Sequence, residues 1–143
     1  DVISPQTGAI IAGARSAQIG PIKIGEEDGF ADTLEVMKTL TGRTVMKIAS
    51  RGNTVIGTVA TNAKLTKAEA TKVAQMAQDG LARTIRPAHT MLDGDTIFAL
   101  STGNKKVDVS TLGAFAAEVM AQAILRGTEE ARSAGGVPGL KFE

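Results

Sequence analysis

The stretch Thr54-Val55-Ile56-Gly57-Thr58-Val59-Ala60-Thr61 decides the fold of this 143-residue chain. Its β-branched and apolar residues occupy both alternating faces, which is typical of a strand covered on both sides. A second run of the same character, Asp95-Thr96-Ile97-Phe98-Ala99-Leu100-Ser101-Thr102, follows later in the chain. A helical pattern follows each strand, so the order strand, helix, strand, helix predicts a layered α/β arrangement with helices on the sheet faces.

Two helices are predicted in this part of the chain. The first begins at the capping box Thr66-Lys67-Ala68-Glu69 and ends before Pro87, because proline disrupts a helix. Its apolar residues recur at helical spacing: Val73, Ala77, Gly80, Leu81 and Ile85. The second is the longest; it is opened by Asp108 or Ser110 and interrupted at Gly127. One wide apolar stripe runs along it: Leu112, Phe115, Ala116, Val119, Met120, Ala123 and Ile124. The many Ala and Gly residues on these helices predict close packing.

The start of the chain is rich in turn signals. Val2-Ile3 and Ala9-Ile10-Ile11-Ala12 flank Ser4-Pro5-Gln6-Thr7-Gly8, a pattern that predicts a β-hairpin. Gly20-Pro21 and the segment from Gly25 to Gly29 are predicted to form loops.

A short helix is predicted after these loops. Asp32-Thr33-Leu34-Glu35 has the spacing of a capping box, so the helix covers about 33–40 and Gly42 stops it. The mixture of Lys, Arg, Ser and Gly from Arg43 to Asn53 predicts a connecting segment.

Composition excludes several classes of protein. The chain has no Cys, Trp or Tyr, a single His and a formal net charge of +1. Without Cys there is no disulfide scaffold, zinc ribbon or thiol catalysis, and a reducing compartment fits, so we expect a cytoplasmic protein. The near-neutral charge offers no basic footprint for nucleic acid. No apolar run approaches the ~20 residues that a membrane span needs.

Gly52-Asn53-Thr54 leads into the first strand and has two interpretations. In the first it is an ordinary turn, because Gly and Asn favour turns and Thr favours strands. In the second, chain cleavage makes Thr54 a new N-terminus that carries both a hydroxyl nucleophile and an α-amine. That amine has an unperturbed pKa of about 7.7–8.0, so it can accept the hydroxyl proton near neutral pH. Such a site needs neither His nor Cys.

Asp93-Gly94-Asp95 lies just before the second strand and also has several interpretations. It is typical of a turn held by aspartate side chains. Oxygen ligands also suit Ca²⁺ or Mg²⁺, but two carboxylates fall short of the calcium-loop pattern, so we expect no metal and no cofactor. In a catalytic interpretation, the two carboxylates orient the hydroxyl or ammonium of a neighbouring nucleophile. The nearby His89 is interpreted as a solvated or hydrogen-bonded loop residue.

Three runs together resemble one family of enzymes. The run Gly52–Ile56 with Val59–Asn62 resembles its self-cleavage site, Gln75–Arg83 resembles the following helix, and Ile85–Thr102 resembles its signature strand and approach loop. The family is the L-aminopeptidase/D-alanine esterase-amidase (DmpA-type) peptidases, which includes β-aminopeptidases and nylon-oligomer hydrolases. The resemblance extends over essentially the whole chain and is strongest from Gly52 to Thr102.

The resemblance implies a fold and a division of the chain. The family's fold is an α-β-β-α sandwich, of the N-terminal-nucleophile-like kind, and this chain would be a partial copy of it. Self-cleavage between Asn53 and Thr54 would separate residues 1–53, the C-terminal end of an α chain with its linker, from residues 54–143, a β chain that carries the nucleophile.

The resemblance also implies a reaction. Thr54 would be the nucleophile, as in the nylon-hydrolase branch. The aminopeptidase branch typically has Ser at this position. Asp93 and Asp95 match the aspartates of that branch's catalytic centre. The enzyme would be a self-processing N-terminal-nucleophile amidohydrolase that hydrolyses amide bonds through an acyl-enzyme on Thr54.

The family's proteins are more than twice as long as this chain, and their upstream part supplies a Lys and an Asn to the site. The sequence begins at Asp1 without an initiator Met or a signal-peptide pattern, so we expect the C-terminal portion of a longer precursor. The expected partners are that upstream α-chain portion, further copies in a homo-oligomer, and a small peptide or amide substrate. Neither nucleic acid nor a membrane is expected as a partner.

Two alternatives stay open. In the first, the chain is a non-catalytic fragment or subunit that needs a partner chain. In the second, it belongs to an acyl transferase of similar fold that also cuts itself before a Thr. The substrate also stays open among L-amino-acid amides, D-alanyl esters, β-peptides and ω-amino-acid oligomers, because upstream residues would form many of the pocket walls.

Overall fold

The computed structural model describes residues 1–19, 21–25, 29–49 and 54–141. Its elements, in chain order, are β1 (Val2–Ile3), β2 (Ile10–Ala12), β3 (Ala17–Ile19), β4 (Ile22–Ile24), α1 (Thr33–Lys38), α2 (Leu40–Ala49), β5 (Ile56–Ala63), α3 (Lys67–Thr84), β6 (Thr96–Lys105) and α4 (Val109–Glu129). Within the described residues the strands form three two-stranded sheets, β1–β2, β3–β4 and β5–β6. The described chain is therefore a mixed α/β structure, as predicted.

The parallel pair of β5 and β6 is the centre of the second half of the chain. The register runs from Ile56 opposite Thr96 to Thr61 opposite Ser101. Parallel strands need a crossover connection, and α3 provides it. The predicted order strand, helix, strand, helix is confirmed.

Both long helices begin at caps that the sequence predicts. At the start of α3, Thr66 and Glu69 make the two reciprocal hydrogen bonds of a capping box. At the start of α4 the cap is Asp108, whose side chain accepts a hydrogen bond from the N–H of Thr111. The helix α3 ends at Thr84, before Pro87, as predicted.

The helices α3 and α4 pack against each other and against one face of the β5–β6 pair. Their shared core consists of buried residues from both helices and β6: Val73, Ala77, Leu81, Ile97, Ala116 and Met120. Gly80 allows a close approach, because a Cβ there would lie 2.4 Å from the carbonyl oxygen of Ala117. The predicted contribution of small residues to helix packing is therefore confirmed.

The opposite face of the β5–β6 pair is open among the described residues. Alternate residues of both strands are exposed, and Ile56, Phe98 and Leu100 expose 70%, 54% and 51% of their surface. The prediction that these strands are covered on both sides is wrong for the described chain, because both helices lie on the same face.

The predictions for α4 also need two corrections. Its wide apolar stripe divides, since Ala116 and Met120 are buried against α3 whereas Phe115 and Val119 are exposed. The helix continues through Gly127 to Glu129 instead of being interrupted. An exposed glycine weakens a helix by only about 1 kcal/mol, which the rest of this long helix tolerates.

The first part of the chain contains two hairpins. The predicted one is confirmed, because β1 and β2 are antiparallel with Val2 opposite Ala12. The second was not predicted: β3 and β4 flank the turn at Pro21, with Ala17 opposite Ile24. Gly20 and residues 26–28, in the two predicted loops, lie outside the described residues.

The helix α1 is capped by Asp32, as predicted, and ends at Lys38. The prediction that Gly42 stops this helix is wrong, because Gly42 lies in the first turn of α2. The hydroxyl of Thr39 accepts a hydrogen bond from the N–H of Gly42 at 2.9 Å, which starts a new helix. A Cβ at Gly42 would lie only 2.0 Å from the carbonyl oxygen of Val36, so glycine lets the two helices meet.

The segment from Arg43 onward is therefore helical as far as Ala49, and the prediction of a connecting segment is wrong there. Residues 50–53 lie outside the described residues. None of the helices that the structure describes is both long and apolar enough to span a membrane.

The two halves of the chain meet at the end of α3. Val2 forms an antiparallel bridge with Ile85, and the N–H of Arg86 donates to the carbonyl oxygen of Asp1 at 2.9 Å. The guanidinium of Arg86 also pairs with the carboxylate of Asp32 at 3.2 Å. These contacts attach the first hairpin and the N-terminal cap of α1 to the end of α3.

Candidate active site

Thr54 lies immediately before β5 and is exposed. Gly94 lies close to it across the strand pair, since a Cβ built there would lie 2.9 Å from Thr54 Oγ1. Parallel strands begin at the same edge of a sheet, so the residues before β5 and those before β6 meet at this edge. The fold therefore brings Thr54 and the Asp93-Gly94-Asp95 segment together.

Asp95 contacts the residue that follows Thr54. Its Oδ1 accepts a hydrogen bond from the N–H of Val55 at 2.9 Å. Its side chain is 7% exposed, whereas His89, whose Nδ1 lies 4.0 Å from Asp95 Oδ2, is 41% exposed. A buried carboxylate thus holds the backbone beside Thr54 and faces a half-exposed imidazole on its other oxygen.

Asp93 is held by its own loop. Its Oδ2 accepts two hydrogen bonds from Thr90, one from the backbone N–H and one from the hydroxyl, both at 2.8 Å. The N–H of Asp93 in turn donates to the carbonyl oxygen of Thr90 at 3.1 Å. These reciprocal contacts fix the carboxylate at the end of a turn over residues 90–93, whereas the prediction placed an aspartate turn at Asp93-Gly94-Asp95.

Thr54, Asp93 and Asp95 line one cavity of about 850 Å³. Its walls are mostly apolar and come from both sides of Thr54 in the chain: Val36, Met37 and Met46 from α1 and α2, and Ile85, Pro87 and Leu92 from the segment before β6. An apolar cavity with a few converging polar groups is typical of a small-molecule site.

The charges around this cavity are mainly negative. Among its described lining residues, Asp1, Asp93 and Asp95 carry carboxylates, Arg15 carries a guanidinium, and Asp1 also carries the N-terminal ammonium. The guanidinium of Arg15 lies over the ring of Phe30, 4.9 Å from its centroid. Carboxylates near Thr54 favour a positively charged group there, such as an ammonium.

The described residues contain no group of three or more carboxylates and imidazoles close enough to hold a metal ion. The predicted cleavage-site residue Asn53 lies outside the described residues, and so does Gly52. Sequence reasoning missed Thr90, although its spacing to Asp93 is typical of a side chain that closes a turn. His89 was predicted to be a solvated or hydrogen-bonded loop residue, and its position beside the carboxylate of Asp95 was not predicted.

Comparison with known proteins identifies the family of this chain. Residues 11–141 match peptidase family S58. The chain therefore belongs to peptidase family S58, and the resemblance to the DmpA-type peptidases is confirmed.

Named relatives add detail. An uncharacterized aminopeptidase of Mycobacterium leprae is 46% identical over 101 residues, which covers 60% of this chain and 28% of the relative. A similar protein of Mycobacterium tuberculosis strain H37Rv is 45% identical over 101 residues, or 60% of this chain and 29% of its own length. A 6-aminohexanoate-oligomer endohydrolase of Kocuria sp. is 30% identical over 141 residues, or 87% of this chain and 36% of the enzyme. The chain thus spans about a third of the length of these relatives.

Proposed function

We propose that this chain carries the nucleophile of a self-processing N-terminal-nucleophile amidohydrolase of peptidase family S58. The observation that carries the proposal is the hydrogen bond from the N–H of Val55 to Asp95 Oδ1, since it holds the backbone next to Thr54 against the aspartate segment. The names of the relatives, aminopeptidase and 6-aminohexanoate-oligomer endohydrolase, support hydrolysis of amide bonds.

Self-cleavage would use the hydroxyl of Thr54. The oxygen attacks the carbonyl carbon of Asn53, the C–N bond to Thr54 breaks, and the nitrogen takes the hydroxyl proton. Water then hydrolyses the resulting ester, which leaves a carboxylate on Asn53 and a free α-amine on Thr54.

Substrate hydrolysis would repeat this chemistry. The α-amine of Thr54 takes the hydroxyl proton, the oxygen attacks an amide carbonyl, and the proton passes to the leaving amine. Water then releases the acyl group from Thr54. Asp95 positions the Thr54–Val55 backbone, and the negative charges of Asp93 and Asp95 favour the ammonium form that arises during transfer.

The division at Asn53–Thr54 into residues 1–53 and 54–143 is part of the same proposal. So is an α-β-β-α sandwich, for which the open apolar face of β5 and β6 offers support, since a second sheet would cover it. We further propose a cytoplasmic homo-oligomer that acts on a small peptide or amide, with the upstream α-chain portion completing the site.

The test uses the complete protein as encoded. We expect it to break into two pieces, the second of which begins Thr-Val-Ile-Gly in N-terminal sequencing. Thr54→Ala should stay whole and fail to hydrolyse aminoacyl p-nitroanilides. Thr71→Ala is the matched control, because it removes a hydroxyl from an exposed position on α3. Undiminished cleavage and hydrolysis in Thr54→Ala would contradict the proposal.

The same assay separates the acyl-transferase alternative. A transferase would give self-cleavage but would pass the acyl group from a donor to an added amino acid rather than to water. A non-catalytic subunit would give neither cleavage nor transfer.

A further inference from the structure

The loop before β6 contains a histidine to which the proposed function gives no part. His89 has a backbone φ of 57°, in the left-handed region that residues other than glycine rarely adopt. Residues persist in this conformation where the surrounding structure holds them, and they cluster at functional sites. His89 therefore invites the question of what its side chain contacts.

The ring of His89 faces the carboxylate that holds the backbone beside Thr54. Its Nδ1 lies 4.0 Å from Oδ2 of Asp95, while Oδ1 of the same carboxylate accepts the hydrogen bond from the N–H of Val55. The imidazole is 41% exposed and the carboxylate 7% exposed. The ring is thus accessible to solvent and also lies beside the buried carboxylate of Asp95.

The next residue, Thr90, holds the other aspartate by direct hydrogen bonds. The N–H and hydroxyl of Thr90 both donate to Oδ2 of Asp93 at 2.8 Å. Two consecutive residues, His89 and Thr90, therefore face the two carboxylates that line the cavity with Thr54.

We propose that His89 is a positioning residue of this site and acts through Asp95. The ring attracts Oδ2 of Asp95, so that Oδ1 keeps its hydrogen bond with the N–H of Val55. The side chain of Thr54, the preceding residue, then keeps its orientation. At 4.0 Å the contact is longer than a hydrogen bond, so the ring acts on the carboxylate electrostatically, by its charge when it is protonated. The inference rests on the proposed function, in which Thr54 is the nucleophile.

The test compares variants of the complete protein as encoded. His89→Gly removes the ring and accepts the left-handed backbone freely, whereas His89→Asn also accepts it and keeps a polar amide near the position of Nδ1. Met91→Gly is the matched control, because it adds a glycine to the same loop where the side chain is 100% exposed. The readout is the rate at which the new N-terminus at Thr54 appears, followed by mass spectrometry.

We expect His89→Gly to slow self-cleavage by about ten- to a hundred-fold, because small displacements at a reacting group have effects of that size. His89→Asn should be slowed less, and Met91→Gly should match the wild type. Added imidazole should restore part of the rate of His89→Gly, which it cannot do for a misfolded loop. With Asp95→Asn already present, the glycine substitution should have little further effect.

A wild-type rate in His89→Gly would overturn the inference. A slow rate that imidazole does not restore would also overturn it, because the residue would then be merely structural. Failure of the proposed function gives a different result. Thr54→Ala would then still cleave itself, whatever cleavage rates the His89 variants show.

Discussion

The carboxylate of Asp95 and the backbone N–H of Val55 are joined by a hydrogen bond of 2.9 Å that ties the start of β6 to the residue after Thr54. The carbonyl oxygen of Val55 accepts a second bond, also 2.9 Å, from the N–H of Thr96. Consecutive residues before and in β6 therefore hold both polar backbone groups of Val55. A site anchored in this way to regular strands keeps its geometry better than one carried by a loop alone.

The first prediction concerns this bond. Asp95→Ala leaves the half-buried N–H of Val55 without its acceptor, so we expect the free energy of unfolding to fall by about 1–3 kcal/mol. Asp95→Asn keeps an acceptor oxygen and should lose less stability, although both variants should cut more slowly. Denaturant unfolding of both variants in the Thr54→Ala background measures stability apart from cleavage. Wild-type stability in Asp95→Ala would contradict the structural role of this bond.

The second prediction concerns Gly94, which lies against the hydroxyl of Thr54. A Cβ at this position would lie 2.9 Å from Thr54 Oγ1, so the threonine side chain must rotate. We expect Gly94→Ala to fold normally and to cut itself about tenfold more slowly or worse, because the hydroxyl is displaced. The rate of appearance of the Thr54 N-terminus and a thermal unfolding curve together test this. Normal cleavage in a folded Gly94→Ala protein would show that the position of the hydroxyl matters little.

The sequence was sufficient for features whose signals are local. The caps at Thr66 and Asp108 follow from residue types within one helical turn, and the helix end before Pro87 follows from the chemistry of proline. The nearness of Thr54 to the Asp93-Gly94-Asp95 segment could also be expected, because parallel strands begin at the same edge of a sheet.

Features decided by distant contacts could not be predicted in this way. Gly42 resembles a helix stop, yet its close approach to the carbonyl of Val36 places it inside a second helix. An apolar strand face predicts that another element covers it, but it does not say which element does. Ile56 and Phe98 lie on such a face and are exposed among the described residues. His89, which lies beside Asp95, adopts a left-handed backbone for which the sequence carries no specific signal.

The third prediction tests the contact between α3 and α4. A Cβ at Gly80 would lie 2.4 Å from the carbonyl oxygen of Ala117 and 2.8 Å from Met120 Cβ, so one helix must move. We expect Gly80→Ala to lower the free energy of unfolding by about 1–3 kcal/mol or more. Gly127→Ala is the matched control on α4; a Cβ there meets nothing within 4 Å and should add up to about 1 kcal/mol through helix propensity. Equal stability of the two variants would contradict the close packing.

The fourth prediction concerns acid stability. The backbone N–H of Thr111 lowers the pKa of Asp108, and the backbone N–H of Thr66 lowers the pKa of Glu69, with a further contribution from each threonine side chain. A carboxyl group with a lower pKa in the folded state stabilises the fold above its unfolded pKa, and this stabilisation is lost as the pH falls through the folded pKa.

We therefore expect unfolding to become easier as the pH falls below about 4, where unfolded carboxyl groups take up protons. The double variant Asp108→Asn, Glu69→Gln should depend less on pH in this range than the wild type. Midpoints of denaturant unfolding between about pH 2 and pH 6 measure the difference. An unchanged pH profile in the double variant would show that these two caps do not contribute to acid sensitivity.

Arg86 connects the two parts of the chain that cleavage before Thr54 would separate. Its guanidinium pairs with Asp32 at 3.2 Å, and its Nη1 donates to the carbonyl oxygen of Gly8 at 3.4 Å. Its backbone N–H donates to the carbonyl oxygen of Asp1. All three partners precede the proposed cut, so the contacts of Arg86 become contacts between chains once the peptide bond is broken.

The fifth prediction follows from this position. We expect Arg86→Ala to weaken the association of the cleaved pieces by about 1–2 kcal/mol, because a half-buried charged hydrogen bond is lost across their boundary. Arg83→Ala is the matched control, since its ion pair with Glu118 is exposed at 52% and 56% and lies within one piece. Size-exclusion chromatography of the cleaved protein in increasing urea measures dissociation. Arg86→Ala should come apart at a lower urea concentration than the wild type, and Arg83→Ala should not, because of these two arginines Arg86 alone contacts residues on the other side of the cut. Identical behaviour of the two variants would place the attachment elsewhere.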